Sequence, residues 1–218
     1  LRFSQFYNTG RCCPSRATLL TGVYQHQAGM GHMTKDRGIP SYSGTILPHV
    51  PTLAERLRKG GYRTMMTGKW HLGMEPKQSP IARGFDRFYG THNFIDSYFT
   101  VLKHCPVFLD DKEVLPGTET PVNHLHPDQQ WYTTDVFTDY ALHFMDESFK
   151  QHADQPLFLY LAYNAPHFPL HAREEDTKKY RGRFRDVGWD KLRRQRYERM
   201  VKLGLIKKEW TLSPLDVP

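Results

Sequence analysis

A thiol, two cationic side chains and two imidazoles stand in this sequence where they could hold an anion and move protons: Cys12, Arg16, Lys69, His71 and His167. Cys12 opens the run Cys12-Cys13-Pro14-Ser15-Arg16-Ala17-Thr18-Leu19-Leu20-Thr21-Gly22. Pro14 suits the first turn of a helix, where its missing N–H costs nothing. Ala17, Leu19 and Leu20 are good helix formers, and Gly22 is placed to end a short helix. Cys12 then stands just before a helix N-terminus, where free N–H groups and the dipole favour an anion. Arg16, one turn in, brings a fixed positive charge back to the same spot. On residue types alone, a buried Cys-Cys pair capping an ordinary helix accounts for the run as well.

The second segment is Gly61-Tyr62-Arg63-Thr64-Met65-Met66-Thr67-Gly68-Lys69-Trp70-His71. Tyr62 to Thr67 reads as a strand after the turn Gly60-Gly61, and Gly68 lets the backbone turn sharply at its end. Lys69 and His71 are two apart, so extended geometry turns both toward one cleft. Lysine offers a compact charge to an anion's oxygen, and histidine moves a proton near neutral pH. Alone, the same pair reads as a solvated loop. The third segment runs from Leu157 to Leu170. Its apolar and aromatic stretch, Leu157 to Tyr163, reads as a strand buried on both faces. Pro166 and Pro169 then force an extended, irregular segment with His167 at its start. Open α/β sheets bind ligands at the carboxyl ends of their strands, which favours a functional His167 over a core-edge one.

The elements that must position these residues are also visible. Thr52-Leu53-Ala54-Glu55 has capping-box form ahead of Leu57, and Gly60 ends that helix. Thr133-Thr134-Asp135 caps a helix reaching about Lys150, with Val136, Tyr140, Phe144 and Phe149 expected on its buried side. The chain opens on a strand-like Arg2 to Tyr7. Residues 74–131, rich in Pro, Gly, His and Asp, read as long loops with a short strand around Val107-Phe108-Leu109. A last helix is expected from about Trp189 to Leu203, although Leu192, Met200, Val201 and Leu203 repeat only loosely at helical spacing. Helices alternating with buried strands predict an α/β fold with a mainly parallel sheet covered on both faces.

Charge is distributed unevenly along the 218 residues. Residues 171–218 carry 14 Lys and Arg against 8 Asp and Glu, and so most of the net +7. Basic residues with interleaved aromatics, as in Lys178-Lys179-Tyr180-Arg181-Gly182-Arg183-Phe184-Arg185, suit nucleic acid, a solvated helix face or a polyanionic substrate. The solvated face is favoured, and no nucleic acid is expected. Three cysteines form neither a disulfide framework nor a zinc pattern. No apolar run approaches the roughly 20 residues of a membrane helix. With Leu1 in place of methionine, the chain reads as a piece of a longer protein, so the absence of a signal peptide says nothing.

Read as C-x-P-S-R-A-x-L-L-T-G, the first run resembles the sulfatase signature, whose first cysteine is oxidised to formylglycine. Pro14 and Arg16, two and four residues on, identify that cysteine as Cys12. Cys13 fills the variable position. The second segment resembles the signature G-Y-x-T-x-x-x-G-K-x-H at every fixed position. The third resembles the family's A-P-H segment, in Ala165-Pro166-His167. The resemblance implies an alkaline-phosphatase-like α/β three-layer sandwich with a mainly parallel central sheet, incomplete in this chain. Residues 1–218 would be part of one catalytic domain with both ends of the domain missing. It also implies an arylsulfatase-like sulfuric ester hydrolase. Hydrated formylglycine from Cys12 would attack sulfur, with Ca²⁺ on the diol and a sulfate oxygen. Arg16 and Lys69 would neutralise oxygens, and His167 would donate to the departing one. His71 would take the proton from the remaining hydroxyl, so that sulfate leaves by C–O cleavage.

By the same resemblance Cys12, as formylglycine, is a metal ligand, and the remaining ligands are expected outside this chain. Asp110-Asp111 is the only Asp pair and lies in a loop out of order. A hard cation needs about six oxygens, so the isolated chain is expected to bind Ca²⁺ poorly and to be inactive. Implied partners are a small-molecule or carbohydrate sulfate ester and, during maturation, a formylglycine-generating enzyme. Trp70, His92, Asn93 and Tyr98 could line the pocket. Periplasm, lysosome or medium are the compartments the resemblance suggests. Alternatives are a formylglycine-dependent phosphonate or phosphate diester hydrolase and a basic anion-binding module over residues 171–209.

Overall fold

The computed structural model describes residue 3, residues 5–114 and residues 131–215. Two compact units divide the chain: residues 8–171, and residues 172–215 with the described residues before Asn8. The larger unit holds α1 (Cys12–Thr21), α2 (Leu53–Lys59), β1 (Arg63–Lys69), a 3-10 turn (Pro76–Gln78), β2 (Arg87–Thr91), β3 (Val107–Leu109), β4 (Lys112–Val114), α3 (Thr133–Gln151) and β5 (Leu157–Ala162). The strands form one sheet in the order β4-β3-β2-β1-β5. β1 runs parallel to both β2 and β5, while β3 and β4 continue the sheet antiparallel. The centre of the sheet is therefore parallel, as the alternation of helices and strands predicts.

Successive β1 residues point to opposite faces and divide the core. Met66 packs with Cys13, Ala17, Leu20, Ala54, Trp70 and Phe85, the layer of α1 and α2. Met65 packs with Tyr89 and with Val136, Phe137, Tyr140 and Phe144 of α3. Helices thus cover both faces, giving three layers. The buried stripe of α3 is Phe137, Tyr140, Ala141, Phe144 and Ser148, spaced as one helical face requires. Phe149, expected on that face, falls beside it and is 60% exposed.

Polar ties fix the helices to the sheet. In the capping box of α2, Thr52 Oγ1 accepts from the Glu55 N–H at 3.1 Å and Glu55 Oε2 from the Thr52 N–H at 2.7 Å. Glu55 also holds Arg83 at 2.9 Å, and Arg83 donates to the carbonyls of Ile46 and Val50 at 2.9 and 2.6 Å. A buried guanidinium needs such complete pairing. On the other face, Glu147 of α3 holds Arg87 at the start of β2, and Arg63 at the start of β1 at 3.3 Å.

Several elements differ from the sequence-based expectation. β1 does not end before Gly68: the ladder runs on, with Gly68 opposite both Ala162 and Gly90. Gly68 has φ 109°, and a Cβ there would lie 2.1 Å from the Ala162 carbonyl oxygen. A Cβ at Gly90 would lie 1.9 Å from the Gly68 oxygen, so the three strands approach this closely only through glycine. β2 and β4 lie within 74–131, which reads as loop because glycine and charge interrupt the apolar pattern. Residues 115–130 of that stretch lie outside the described residues. β5 is half-buried rather than buried on both faces, since among the described residues it pairs on one side only. No strand forms at residues 3 and 5–7, and Arg2 and Ser4 lie outside the described residues.

The smaller unit contains α4 (Glu174–Lys178) and α5 (Gly188–Lys202), neither with a buried residue, in keeping with the loose apolar spacing. A groove of about 1030 Å³ there is lined by residues that include Arg183, Phe184, Trp189, Arg193 and Arg196. Among the described residues, no helix is long and apolar enough to cross a membrane.

Candidate active site

α1 delivers Cys12 as its first residue. Arg11 precedes it in extended conformation and provides no side-chain cap, so the first-turn N–H groups are left to an outside acceptor. At the other end Gly22, at φ 72°, donates its N–H to the Thr18 carbonyl. Arg16 reaches from α1 to the sheet, where one Nη donates to the Lys69 carbonyl at 2.5 Å and to the Tyr160 hydroxyl at 3.3 Å. This fork seats the first turn of the helix against the carboxyl end of β1.

Lys69 closes β1 and is 1% exposed; His71, two residues on, is 2% exposed. The Trp70 and His71 N–H groups bond the Thr91 and His92 carbonyls at 2.9 and 3.1 Å, prolonging the pairing with the β2 side. His71 has φ 61°, a conformation uncommon outside glycine, so the extended geometry expected for Lys69-x-His71 does not persist. Both side chains still act on Cys12.

The Sγ atoms of Cys12 and Cys13 lie 3.8 and 3.7 Å from Met33 Sδ. Cys12, Cys13 and His71 each place a donor atom within 4.8 Å of the others. The Cys12 thiol is held well below the ordinary thiol range, first by its hydrogen bond with Cys13, then by His71 and the Lys69 charge, against the effect of burial. The same shared bond, with burial, pushes Cys13 up. Burial lowers both Lys69 and His71, with negative charge at Cys12 opposing it. His71 Nδ1 is out of solvent and bonds no protein atom.

His167 lies in the loop after β5. Gly68 of β1 is opposite Ala162 of β5 in a parallel pair, so this loop and Lys69–His71 leave the same edge of the sheet. The His167 N–H bonds the Asn164 carbonyl at 2.9 Å, and its own carbonyl accepts the Tyr98 hydroxyl at 2.9 Å. Its Nδ1 lies 2.6 Å from the Phe168 carbonyl, which can only accept, so Nδ1 carries a proton and Nε2 is the nitrogen open to a substrate.

The expected pocket wall is largely core. Trp70 is fully buried with Nε1 on the Gln78 carbonyl, His92 stacks on Phe108 at 4.1 Å, and Tyr98 is buried under the His167 loop. Asn93 is half-buried. Bulky rings beside a sheet edge gain more from packing than from lining a cleft. Met33, Tyr160 and Asn164 escaped the sequence reading. A tyrosine inside an apolar strand does signal a hydroxyl that needs a partner; nothing local marks Met33.

Two sulfurs and a nitrogen make a soft donor set, whereas calcium takes six or more oxygens, so the residues clustered here do not fit that ion. Cys12 itself is partly exposed at an uncapped helix N-terminus between cations, which suits an oxygen-bearing polar group.

The family model described as Sulfatase matches residues 1–203. This chain belongs to the sulfatase family. An uncharacterized sulfatase of Schizosaccharomyces pombe is 31% identical across 99% of this chain and 40% of its own length. An arylsulfatase of Klebsiella aerogenes is 33% identical across 100% of the chain and 46% of its own length. The crystal structure of Ps i-CgsB in complex with k-i-k-neocarrahexaose matches with a TM-score of 0.62 at 30% identity, over 78% of this chain and 38% of that one. This sulfatase chain therefore spans less than half the length of each relative. Sulfatases generally use formylglycine and a divalent metal.

Proposed function

We propose that the whole protein hydrolyses sulfate esters of small molecules or carbohydrates, with residues 1–218 part of one catalytic domain. The reading is carried by the convergence of Cys12, at a helix N-terminus, with Arg16, Lys69 and His71 at the carboxyl end of a central parallel strand. Open α/β sheets gather ligands at that edge. The arylsulfatase relative supports the ester, and the neighbour solved with k-i-k-neocarrahexaose supports a carbohydrate. Calcium is the divalent ion we assign to the whole protein, and its oxygen ligands would come from residues other than this cluster.

When Cys12 is converted by a formylglycine-generating enzyme, the new group supplies the oxygen that attacks sulfur and the aldehyde to which sulfate release returns it. The chain's own residues do the remaining work. The first-turn N–H groups of α1, the free part of the Arg16 fork and the Lys69 ammonium hold the sulfate oxygens. Lys69 is lowered by burial, and an anion beside it favours its charged form again. The buried, neutral His71 ring accepts the proton whose loss lets sulfate depart. His167 gives a proton from Nε2 to the leaving oxygen, which requires its ring to carry both protons, since Nδ1–H stays on the Phe168 carbonyl.

Mass spectrometry of the tryptic peptide holding Cys12, from full-length protein made in a competent host, tests this together with sulfate release. Aldehyde at position 12, sulfate released faster than phosphonate is hydrolysed, and no turnover by Cys12→Ala are expected. An intact thiol in protein that still releases sulfate sinks the reading.

A further inference from the structure

The loop between β2 and β3 gathers three donors that the proposed reaction does not use. His104 Nε2 lies 2.7 Å from Asp96 Oδ2, and Cys105 Sγ lies 4.0 Å from the same oxygen. Each of the three residues places a ligand atom within 4.8 Å of the others. Cys105 is 4% exposed and forms no disulfide, whereas the Asp96 and His104 side chains are 43% and 62% exposed. The sulfur therefore closes the inner side of the cluster, and the outer side opens to solvent. A turn pins the arrangement: the Cys105 N–H bonds the Leu102 carbonyl at 2.8 Å, and the two residues form an isolated β-bridge. An exposed carboxylate–imidazole pair contributes little to stability by itself. We infer that Asp96, His104 and Cys105 form a binding site for one zinc ion, with water as its fourth ligand.

The donors select the ion. One thiolate, one imidazole and one carboxylate are a mixed set that zinc accepts in tetrahedral geometry. Calcium and magnesium take oxygens, and Cu(I) favours more sulfur than one thiolate gives. Tetrahedral zinc spaces such ligand atoms by about 3.3–3.6 Å, between the 2.7 and 4.0 Å seen here. As the ion binds, Zn–S, Zn–N and Zn–O bonds form, the thiol releases its proton to solvent, and nothing is oxidised. The thiolate and carboxylate charges together neutralise the ion. The same loop braces the candidate active site through Tyr98, two residues after Asp96. The Tyr98 hydroxyl donates to the His167 carbonyl at 2.9 Å, its N–H donates to His171 Nδ1 at 3.3 Å, and its carbonyl accepts the Thr133 N–H at 2.9 Å. Zinc joins the chain on either side of Tyr98, so it closes the loop and steadies the backbone of His167.

The test uses full-length protein carrying formylglycine, kept reduced by a phosphine in excess calcium and titrated with Zn²⁺ against zincon. One equivalent is expected to bind at this site. Asp96→Asn, His104→Gln and Cys105→Ser are each expected to weaken it at least about tenfold. Asp96 and His104 are exposed, so their variants keep the fold, with circular dichroism as the check. Co²⁺ in place of zinc is expected to give a thiolate charge-transfer band in the near ultraviolet, which Cys105→Ser abolishes. Hydrogen exchange at residues 96–105 is expected to slow on zinc addition in wild type and not in Asp96→Asn. No uptake, unchanged affinity in both Asp96→Asn and His104→Gln, displacement of zinc by calcium, or exchange that zinc does not alter overturns the inference and leaves an ion pair only. Sulfate release plays no part in these readouts, so the zinc site and the proposed function stand or fall separately.

Discussion

Burial decides what His71 can do. Its ring is pushed below the usual histidine range because the charged form loses water, and Lys69 and Arg16 add to this while the bond to Cys12 opposes it. The neutral ring is the form present at neutral pH, and a base must be neutral to act. The acid limb of kcat/KM for the full-length protein is therefore expected below about pH 6.5, the ordinary histidine value. A limb above that, retained in His71→Asn, would show that another group is the base. Arg16 acts through its shape as well as its charge, since one arm is spent on the Lys69 carbonyl and the Tyr160 hydroxyl. Arg16→Lys keeps the charge and loses the fork. Its kcat/KM on an aryl sulfate is expected to fall about 100-fold. Cys12, Arg16, Lys69 and His71 were legible because each sits in a short segment of fixed spacing. Met33 and Tyr160 were not, because they reach the site from 21 and 144 positions away along the chain, where local spacing carries no trace of contact.

Between elements, Glu147 is the tie with the clearest cost. Burial pushes its carboxyl up, but hydrogen bonds and charge from Arg87, then Arg63, outweigh this and hold it below the usual carboxylate range. A depressed carboxylate contributes stability above its unfolded value, near 4.5, and loses it as pH falls through the folded value. Glu147→Gln is expected to destabilise by about 2 kcal/mol at pH 7 in urea unfolding, with the difference from wild type shrinking in acid. The cost stays below the roughly 3–5 kcal/mol of a stranded buried charge. Arg63 and Arg87 retain Asp86 and Asp110, at 3.8 and 3.3 Å. Gly68→Ala should cost more, about 3 kcal/mol or above, because its Cβ meets backbone rather than a side chain that can move. A melting temperature equal to wild type would refute the close approach. The glycine pair also explains why β2 was hard to see: Gly90 weakens the strand pattern for the very reason that it lets β2 approach β1. α2 was readable from its capping box and α3 from its 3.6-residue period, but the cap expected at Thr133-Thr134-Asp135 is not there: Tyr132 is the N-cap of α3 and makes no side-chain cap bond. The end of β1 was not readable, since Gly68 looked like a terminator and is instead a contact.

At the scale of the whole molecule, the calcium ion proposed for the full-length protein needs oxygen ligands that the cluster around Cys12 does not offer. The cluster around Cys12 offers sulfur and nitrogen, and the chain covers 40% of one curated relative and 46% of another. Purified residues 1–218 are expected to release no sulfate from an aryl sulfate, with or without added calcium, while the full-length protein does. Turnover by residues 1–218 alone would mean that the hard-ion ligands lie within them. β5 sharpens the contrast between part and whole. Its six residues, Leu-Phe-Leu-Tyr-Leu-Ala, carry no charge and no proline, and among the described residues only one side of the strand is paired. Among the described residues of β5, no charge repels a second copy of the strand. Concentrated solutions of residues 1–218 should gelate or deposit thioflavin-positive fibrils, and a lysine in place of exposed Leu161 should keep them clear.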